Sequence, residues 1–168
     1  MLKAFYPDKV EKSVYDIDFV KLYEAGKRAI LFDIDNTLVE HGADSNEKMD
    51  SFFVKLHEIG FKTCLMSNNN EERVVRFNKN IGTQYIFKAG KPSIKAYYKA
   101  MEKIEAKPEE TIFIGDQLFT DIYGAKKAGL DNICVQPIGK KEKIQIVLKR
   151  RLEAIVFYSY KRHLKKKQ

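Results

Sequence analysis

The sequence predicts an α/β fold: a three-layer αβα sandwich on a mainly parallel sheet of about five strands. Apolar runs of four to seven residues alternate with helix-like stretches of ten or more, as buried parallel strands joined by crossover helices require. Glycines and polar turn residues separate the two kinds of segment, and right-handed crossovers then lay helices on both faces of the sheet. The length of 168 residues suits one domain over 1–168, with a basic tail from about 140 to 168.

Each element has a local reason. Asp16 or Asp18 can cap a short helix to Ala25, which Gly26 stops, and Arg28 to Ile34 reads as the first strand. From Ser45 to Ile59, Met49, Phe52, Phe53, Leu56 and Ile59 recur at three- and four-residue steps and Gly60 follows, which predicts a helix. Phe61 to Met66 is the second strand. The polar turn Ser67-Asn68-Asn69-Asn70 leads into a helix from Glu71 to about Asn80, and Gln84 to Phe87 is a short third strand. Pro92 suits the first turn of a helix ending near Glu105. Thr111 to Ile114 is the fourth strand, followed by Gly115 and Asp116. A helix from about Phe119 to Ala128, a fifth strand at Asn132 to Gln136 and a tail helix complete the chain.

Composition excludes several classes. With 44% hydrophobic and 32% charged residues, nine glycines and four prolines, the chain is neither disordered nor collagen-like. The uncharged run Ala154 to Tyr160 is far shorter than the roughly 20 residues that span a bilayer. Met1 to Asp8 lacks the roughly 7 to 15 apolar residues of a secretory signal, so a cytoplasmic protein is expected. Cys64 and Cys134 lie in separate apolar runs without ligand spacing, as reduced core residues do. His41, His57 and His163 carry no argued chemistry.

In such sheets ligands collect at the carboxyl ends of strands, which selects Asp33, Asp35, Thr37, Ser67, Asn68, Lys91, Asp116 and Asp121. Asp33 and Asp35 are two residues apart where the first strand ends, so extended backbone projects both toward one site. Like unit charges about 4 Å apart cost roughly 4 kcal/mol at an effective dielectric near 20, and Asp116 adds a third. A cation must neutralise them, and oxygen ligands without nearby Cys or His favour Mg²⁺. A calcium loop starting at Asp33 fails, because Leu38 occupies its glycine position and Asp44 its glutamate position.

The blocks Asp33-Ile-Asp35-Asn-Thr37, Ser67-Asn-Asn, Lys91-Pro92 and Gly115-Asp116-Gln-Leu-Phe-Thr-Asp121 resemble, in order, the four motifs of the haloacid dehalogenase superfamily of phosphatases. The resemblance covers about 28 to 136 and implies a Rossmann-like sheet. It implies Asp33 as the nucleophile that forms an aspartyl phosphate and Asp35 as general acid and base. Ser67, with Thr37 and Asn68, would contact the phosphoryl group, and Lys91 would offset its developing charge. Asp33, the backbone carbonyl of Asp35, Asp116 and Asp121, the last as ligand or supporting partner, would hold Mg²⁺. No insertion of cap size fits between Leu38 and Ser45 or between Ser67 and Lys91, so a capless, open enzyme of subfamily III is implied. Phe5-Tyr-Pro7-Asp8 and Tyr15-Asp-Ile-Asp18 are further similar to the bacterial YqeG branch, related to phosphatidylglycerophosphate phosphatases, which implies a phospholipid headgroup as substrate. The alternatives are a small-molecule or nucleic-acid phosphate and a noncatalytic phosphate-binding scaffold. A receiver domain is excluded because its acceptor Asp follows the acidic pair.

The net charge is +8, yet residues 140–168 hold eleven Lys or Arg against two Glu, so the body is close to neutral. Ile144, Val147, Leu148, Leu152, Ile155 and Tyr160 approximate one helical face among Lys149, Arg150, Arg151 and the Lys161 to Lys167 cluster. That face can rest on an anionic membrane, each basic residue contributing about 1 kcal/mol, or pack on the sheet. No RNP, KH or zinc-knuckle pattern supports nucleic acid as the partner of the basic cluster. Nothing in the sequence sets the oligomeric state.

Overall fold

The computed structural model describes residues 2–139 and 144–166. Its six-stranded sheet comprises β1 (Lys9–Glu11), β2 (Ala29–Phe32), β3 (Lys62–Met66), β4 (Gln84–Ile86), β5 (Thr111–Gly115) and β6 (Asp131–Val135). The order is β1-β6-β5-β2-β3-β4 and every pairing is parallel. The helices are α1 (Phe19–Glu24), α2 (Glu47–Ile59), α3 (Glu71–Asn78), α4 (Ile94–Lys103), α5 (Tyr123–Lys127) and α6 (Ile144–Lys165). As expected, the fold is α/β, with the predicted first and fourth strands appearing as β2 and β5. These two are neighbours, and Phe32 pairs with Ile114, so both chains leave the sheet at one height on one edge.

The expectation of about five strands is corrected to six. Lys9-Val-Glu11 is too short and too polar to show a strand pattern in the sequence. It becomes an edge strand because Asp8 is tied to β6: the Asn132 backbone N–H and side-chain Nδ2 donate to Asp8 Oδ2 at 3.0 and 2.7 Å, and Asp8 N–H donates to Asn132 Oδ1 at 3.1 Å.

Strand alternation divides the core into two layers. Ile30, Phe32, Leu65, Ile112 and Ile114 meet Phe19 of α1, Met49, Phe52, Phe53 and Leu56 of α2, and Val74 and Phe77 of α3. Leu31, Cys64, Met66 and Phe113 meet Ala96, Tyr97, Ala100 and Met101 of α4 and Ala125 of α5. Each fully buried large apolar side chain contributes about 1.5–3 kcal/mol by leaving water. Helix ends follow side-chain chemistry: Lys21 N–H donates to Asp18 Oδ1 and Met49 N–H to Asn46 Oδ1, both at 3.0 Å, and Gly60 closes α2 at a φ of +114°.

Helix α6 docks on the outer edge through Glu153 and Val156, with Val156 against Tyr6, Leu118, Ile122 and Cys134. Tyr6 also donates to or accepts from Ser159 Oγ at 2.6 Å and meets Tyr160 edge-on at 5.4 Å. The docking face is not the one the apolar spacing selects. Leu148, Leu152 and Ile155 are 57–60% exposed, and of that predicted face Tyr160 packs inward. The side chain of Ile144, and Lys167 of the basic cluster, lie outside the described residues. Beside these apolar contacts, the N-terminal half of α6 faces the polar loop after β5, whose backbone groups need hydrogen-bonding partners that leucine cannot supply.

Candidate active site

Four loops build the site, those that follow β2, β3, β4 and β5. After β2, Asn36 adopts a φ of +64°, a left-handed conformation that Asn tolerates. The turn lets the N–H groups of Thr37 and Leu38 donate back to the Ile34 carbonyl at 3.2 and 2.9 Å. Thr37 is thereby folded under the strand end, its Oγ1 3.0 Å from Asp33 Oδ2 and 3.0 Å from Asp116 Oδ1.

After β5 the chain makes a π-helical turn, Leu118–Ile122, before α5, where the sequence predicts uninterrupted helix from Phe119. The wider turn returns Asp121 to the strand end. Asp121 Oδ2 accepts from the N–H groups of Asp116 at 3.1 Å and Gln117 at 3.0 Å. A Cβ on Gly115 would stand 2.6 Å from that oxygen, so this approach requires glycine.

Lys91 is buried, and its Nζ lies 2.6 Å from Asp33 Oδ1 and 2.7 Å from Asp121 Oδ1. Asn68 sets its backbone: Lys91 N–H donates to Asn68 Oδ1 at 2.8 Å, and Asn68 Nδ2 donates to the Lys91 carbonyl at 3.3 Å. Ser67 Oγ accepts from Asn69 N–H at 3.0 Å, which leaves the hydroxyl proton available to another acceptor.

Asp35 has different partners from Asp33. Its Oδ1 accepts from Arg73 Nη2 at 2.9 Å, Arg73 Nε at 3.3 Å and Gly42 N–H at 2.8 Å, and Asn69 Nδ2 donates to Oδ2 at 3.4 Å. Asp33, Asp35, Ser67, Asn68, Asn69 and Lys91 line one open cavity of about 180 Å³, which Ile146 of α6 also reaches. Of the eight residues selected from the sequence, Asp33, Thr37, Lys91, Asp116 and Asp121 form one hydrogen-bonded cluster. Asp35, Ser67 and Asn68 stand around the adjoining cavity.

The electrostatics of the two acids diverge. Burial, reinforced by Asp121 and Asp35 and opposed by Lys91, pushes the Asp33 carboxyl up to about 6. Burial, with Asp33 and Asp121, likewise raises Asp116 well above the ordinary carboxylate range against the pull of Arg150. Asp35 is also desolvated, but the Gly42 N–H and the Arg73 guanidinium outweigh that burial and hold it below the ordinary value. Burial works against the charge of Lys91, yet Asp121 and Asp33 overcome it and keep the ammonium protonated.

Three further charged residues belong to this region and were not selected from the sequence. Arg73 of α3 holds Asp35, and its Nη1 is buried with no hydrogen-bond partner among the described residues. Arg150 of α6 donates from Nη2 to Asp116 Oδ2 and from Nη1 to the Asp116 carbonyl at 2.8 Å and to Glu153 Oε2 at 2.9 Å. The sequence signals were faint: Arg73 is one of two arginines in a polar helix, and Arg150 sits inside the run Lys149-Arg-Arg151, where only its i,i+3 spacing from Glu153 marks a pair.

A divalent cation fits this donor set. Ligand oxygens of Asp33, Asp116 and Asp121 all lie within 4.8 Å of one another, and all three residues are buried. Among the described residues gathered here, the five carboxylates Asp33, Asp35, Asp116, Asp121 and Glu153 face the Lys and Arg cations Arg73, Lys91 and Arg150, with the His41 ring 3.9 Å from Asp35 Oδ1. With every carboxylate ionised, these Asp, Glu, Lys and Arg side chains leave two negative charges over, and the neighbouring carboxylates add to the burial that raises the Asp33 and Asp116 carboxyls.

A parallel sheet with carboxylates at the ends of two adjacent strands, and a buried lysine between them, defines a class of hydrolase. Residues 45–129 match the family model for haloacid dehalogenase-like hydrolases. The chain is 36% identical, over 96% of its length and 95% of the other, to Probable phosphatase YqeG of Bacillus subtilis. It is 29% identical to Glyceraldehyde 3-phosphate phosphatase of Pyrococcus furiosus over 48% of this chain, spanning 37% of that protein. A solved HAD-superfamily hydrolase from Ehrlichia chaffeensis shares the fold at a TM-score of 0.56 and 19% identity, covering 64% of this chain and 88% of that one. The chain belongs to the haloacid dehalogenase-like hydrolase family, and it is an enzyme of the phosphatase type.

Proposed function

We propose that the enzyme is a Mg²⁺-dependent phosphomonoester hydrolase working through an aspartyl phosphate on Asp33. The observation that carries this reading is the meeting of Asp33, Asp116 and Lys91 in one buried cluster beside the cavity of Asp35 and Ser67. Asp33, Asp116 and the carbonyl of Asp35 hold the cation, which supplies charge neutralisation for the incoming phosphoryl oxygens. Asp121 places one oxygen on Lys91 and the other on the N–H groups of Asp116 and Gln117, so it orients Lys91 from beside the cation site, as a further ligand or a supporting partner.

Asp33 attacks phosphorus in line through Oδ, and the leaving alkoxide takes a proton from Asp35. Asp35 must then collect that proton on substrate binding, since Arg73 and Gly42 favour its ionised form in the free enzyme. Ser67 donates its hydroxyl proton to a phosphoryl oxygen, and Lys91 stabilises the charge gathering on the transferred group. In the second half, Asp35 removes a proton from the water that hydrolyses the aspartyl phosphate. Thr37, buried between Asp33 and Asp116, braces the two carboxylates rather than touching substrate.

For substrate class we favour a phosphomonoester that brings its own bulk, with a phospholipid headgroup such as phosphatidylglycerophosphate first among them. Two features support it: the small open cavity, and the exposed Leu148, Leu152 and Ile155 of α6 flanked by Lys149, Arg151 and Arg162. An apolar stripe between basic residues suits the surface of an anionic membrane. The test is turnover of p-nitrophenyl phosphate in Mg²⁺ followed by a phosphoester screen containing phosphatidylglycerophosphate and water-soluble glycerol phosphates. No turnover of any of them defeats the hydrolase mechanism, and a preference for the soluble esters defeats the lipid. Flotation with anionic liposomes, comparing the parent with Leu152→Glu, reads the membrane contact separately; equal partitioning removes it.

A further inference from the structure

We propose that Arg150 of the C-terminal helix is a positioning residue for the cation site: it holds one oxygen of Asp116 so that the other faces Asp33, and thereby couples cation binding to the docking of α6. The inference rests on the reading of Asp116 as a cation ligand.

Asp116 is 1% exposed, and its two carboxylate oxygens are divided between two elements. Oδ1 receives the Thr37 hydroxyl on the side of Asp33, and Oδ2 receives Arg150 Nη2 on the side of α6. Arg150 Nη1 reaches the Asp116 carbonyl as well, so side chain and backbone are gripped by one planar fork. Such a fork resists rotation of the carboxylate where a single contact would not. The grip is itself braced. Glu153 holds Arg150 Nη1 at 2.9 Å through Oε2 and accepts Leu118 N–H at 2.6 Å through Oε1. One turn of α6 therefore spans the loop that starts at Asp116 and ends in the turn carrying Asp121, the partner of Lys91.

The contact is also a large part of what seats the helix. Val156 and Tyr160 pack on the body, whereas Leu148, Leu152 and Ile155 face outward, so the Arg150–Glu153 bracket anchors the N-terminal half of α6. Arg150 does not displace the cation. With its charge counted and every carboxylate ionised, the Asp, Glu, Lys and Arg side chains of the cluster still leave two negative charges over, which a divalent ion matches. Linkage makes the effect reciprocal: whatever affinity the docked helix lends to the cation, the cation returns to the docked helix.

The experiment is calorimetric titration of the full chain with Mg²⁺, for the parent and for Arg150→Gln, Arg150→Lys and Asp116→Asn, alongside hydrogen exchange of α6 amides with and without saturating Mg²⁺. Loss of an outer partner of a metal ligand weakens affinity about 10- to 100-fold, so Arg150→Gln is expected in that range, with Arg150→Lys between it and the parent. Mg²⁺ is expected to slow exchange across α6 in the parent and not in Arg150→Gln. Binding by Arg150→Gln as tight as the parent's, or tighter, overturns the proposal while Asp116→Asn still loses Mg²⁺. Should Asp116→Asn bind Mg²⁺ normally, the ligand reading fails and the proposal falls with it. If Arg150→Gln proves unstable, exchange in the parent decides alone: no protection of α6 by Mg²⁺ overturns the coupling.

Discussion

Asp33 and Asp116 share one hydroxyl, with Thr37 Oγ1 3.0 Å from a carboxylate oxygen of each. The relationship follows from sheet topology. Their strands are adjacent, parallel and in register through Phe32 and Ile114, so two acids distant in the chain emerge side by side. Burial then makes their mutual repulsion expensive, and Lys91 and Arg150 offset it only in part.

Asp33→Asn removes the attacking oxygen and one unit of the surplus charge. Turnover is expected to fall at least about a thousandfold, the scale of nucleophile loss in other hydrolases, with the thermal midpoint equal to the parent's or higher. Steady-state kinetics and a melting curve check both halves; activity near the parent's would remove Asp33 from the nucleophile's role.

The burial of Asp33 also sets a pH dependence. The Asp33 carboxyl stands at about 6 in the folded protein against 3.8 ordinarily, so the folded state holds its proton more tightly. A group raised in this way contributes stability that is complete below the ordinary value and lost as pH rises through the folded value. The cation-free protein should therefore weaken across that window, and Mg²⁺ should raise the midpoint more at pH 8 than at pH 5. Calorimetric scans at the two pH values provide the comparison, and an equal gain at both would contradict it.

Asp35 is expected to matter in proportion to the leaving group's need for a proton. Asp35→Asn should lower kcat strongly on an alkyl phosphate and by at least about tenfold less on p-nitrophenyl phosphate, whose phenolate leaves unassisted. Equal losses on the two esters would assign Asp35 another role.

Gly115→Ala places a methyl where Asp121 Oδ2 now lies 2.6 Å away. Displacement of Asp121 should cost about 1–3 kcal/mol of stability, as overpacking does elsewhere, and should lower kcat through Lys91. Denaturant titration together with kinetics tests this, and unchanged values of both would show that Asp121 does not depend on the close approach.

Cys64 and Cys134 are buried, and burial pushes the Cys64 thiol up to about 12 and raises Cys134 as well. Since the thiolate is the reactive form, both should resist iodoacetamide at neutral pH until the chain is unfolded. Mass spectrometry of native and denatured samples after labelling counts the adducts; fast native labelling would place a thiol at the surface.

The boundaries of most elements were legible because they rest on local physics. Asp18, Asn46 and Asn70 cap the helices they precede, Gly60 ends α2, and the apolar run Ala29 to Phe32 is a strand buried on both faces. The residues that meet at the candidate site stood out in the same way, since acids and a hydroxyl directly after strands, with a lysine in the loop after β4, point to the edge where a parallel sheet presents its ligands. Strand β1 was not, because Lys9-Val-Glu11 pairs only through the tie between Asp8 and Asn132.

By itself the sequence determined the class of fold, the strand ends that carry the acids and the residue types available for phosphoryl chemistry, all of which depend on neighbours a few positions away. Tertiary structure alone decided which face of α6 turns inward. Hydrophobic spacing favours Leu148, Leu152 and Ile155, but the loop they would meet offers the Asp116 carboxylate and the Leu118 N–H, and a buried polar group must be matched by a polar partner. Arg150 and Glu153 supply that match, and no local pattern records which surface a helix will face.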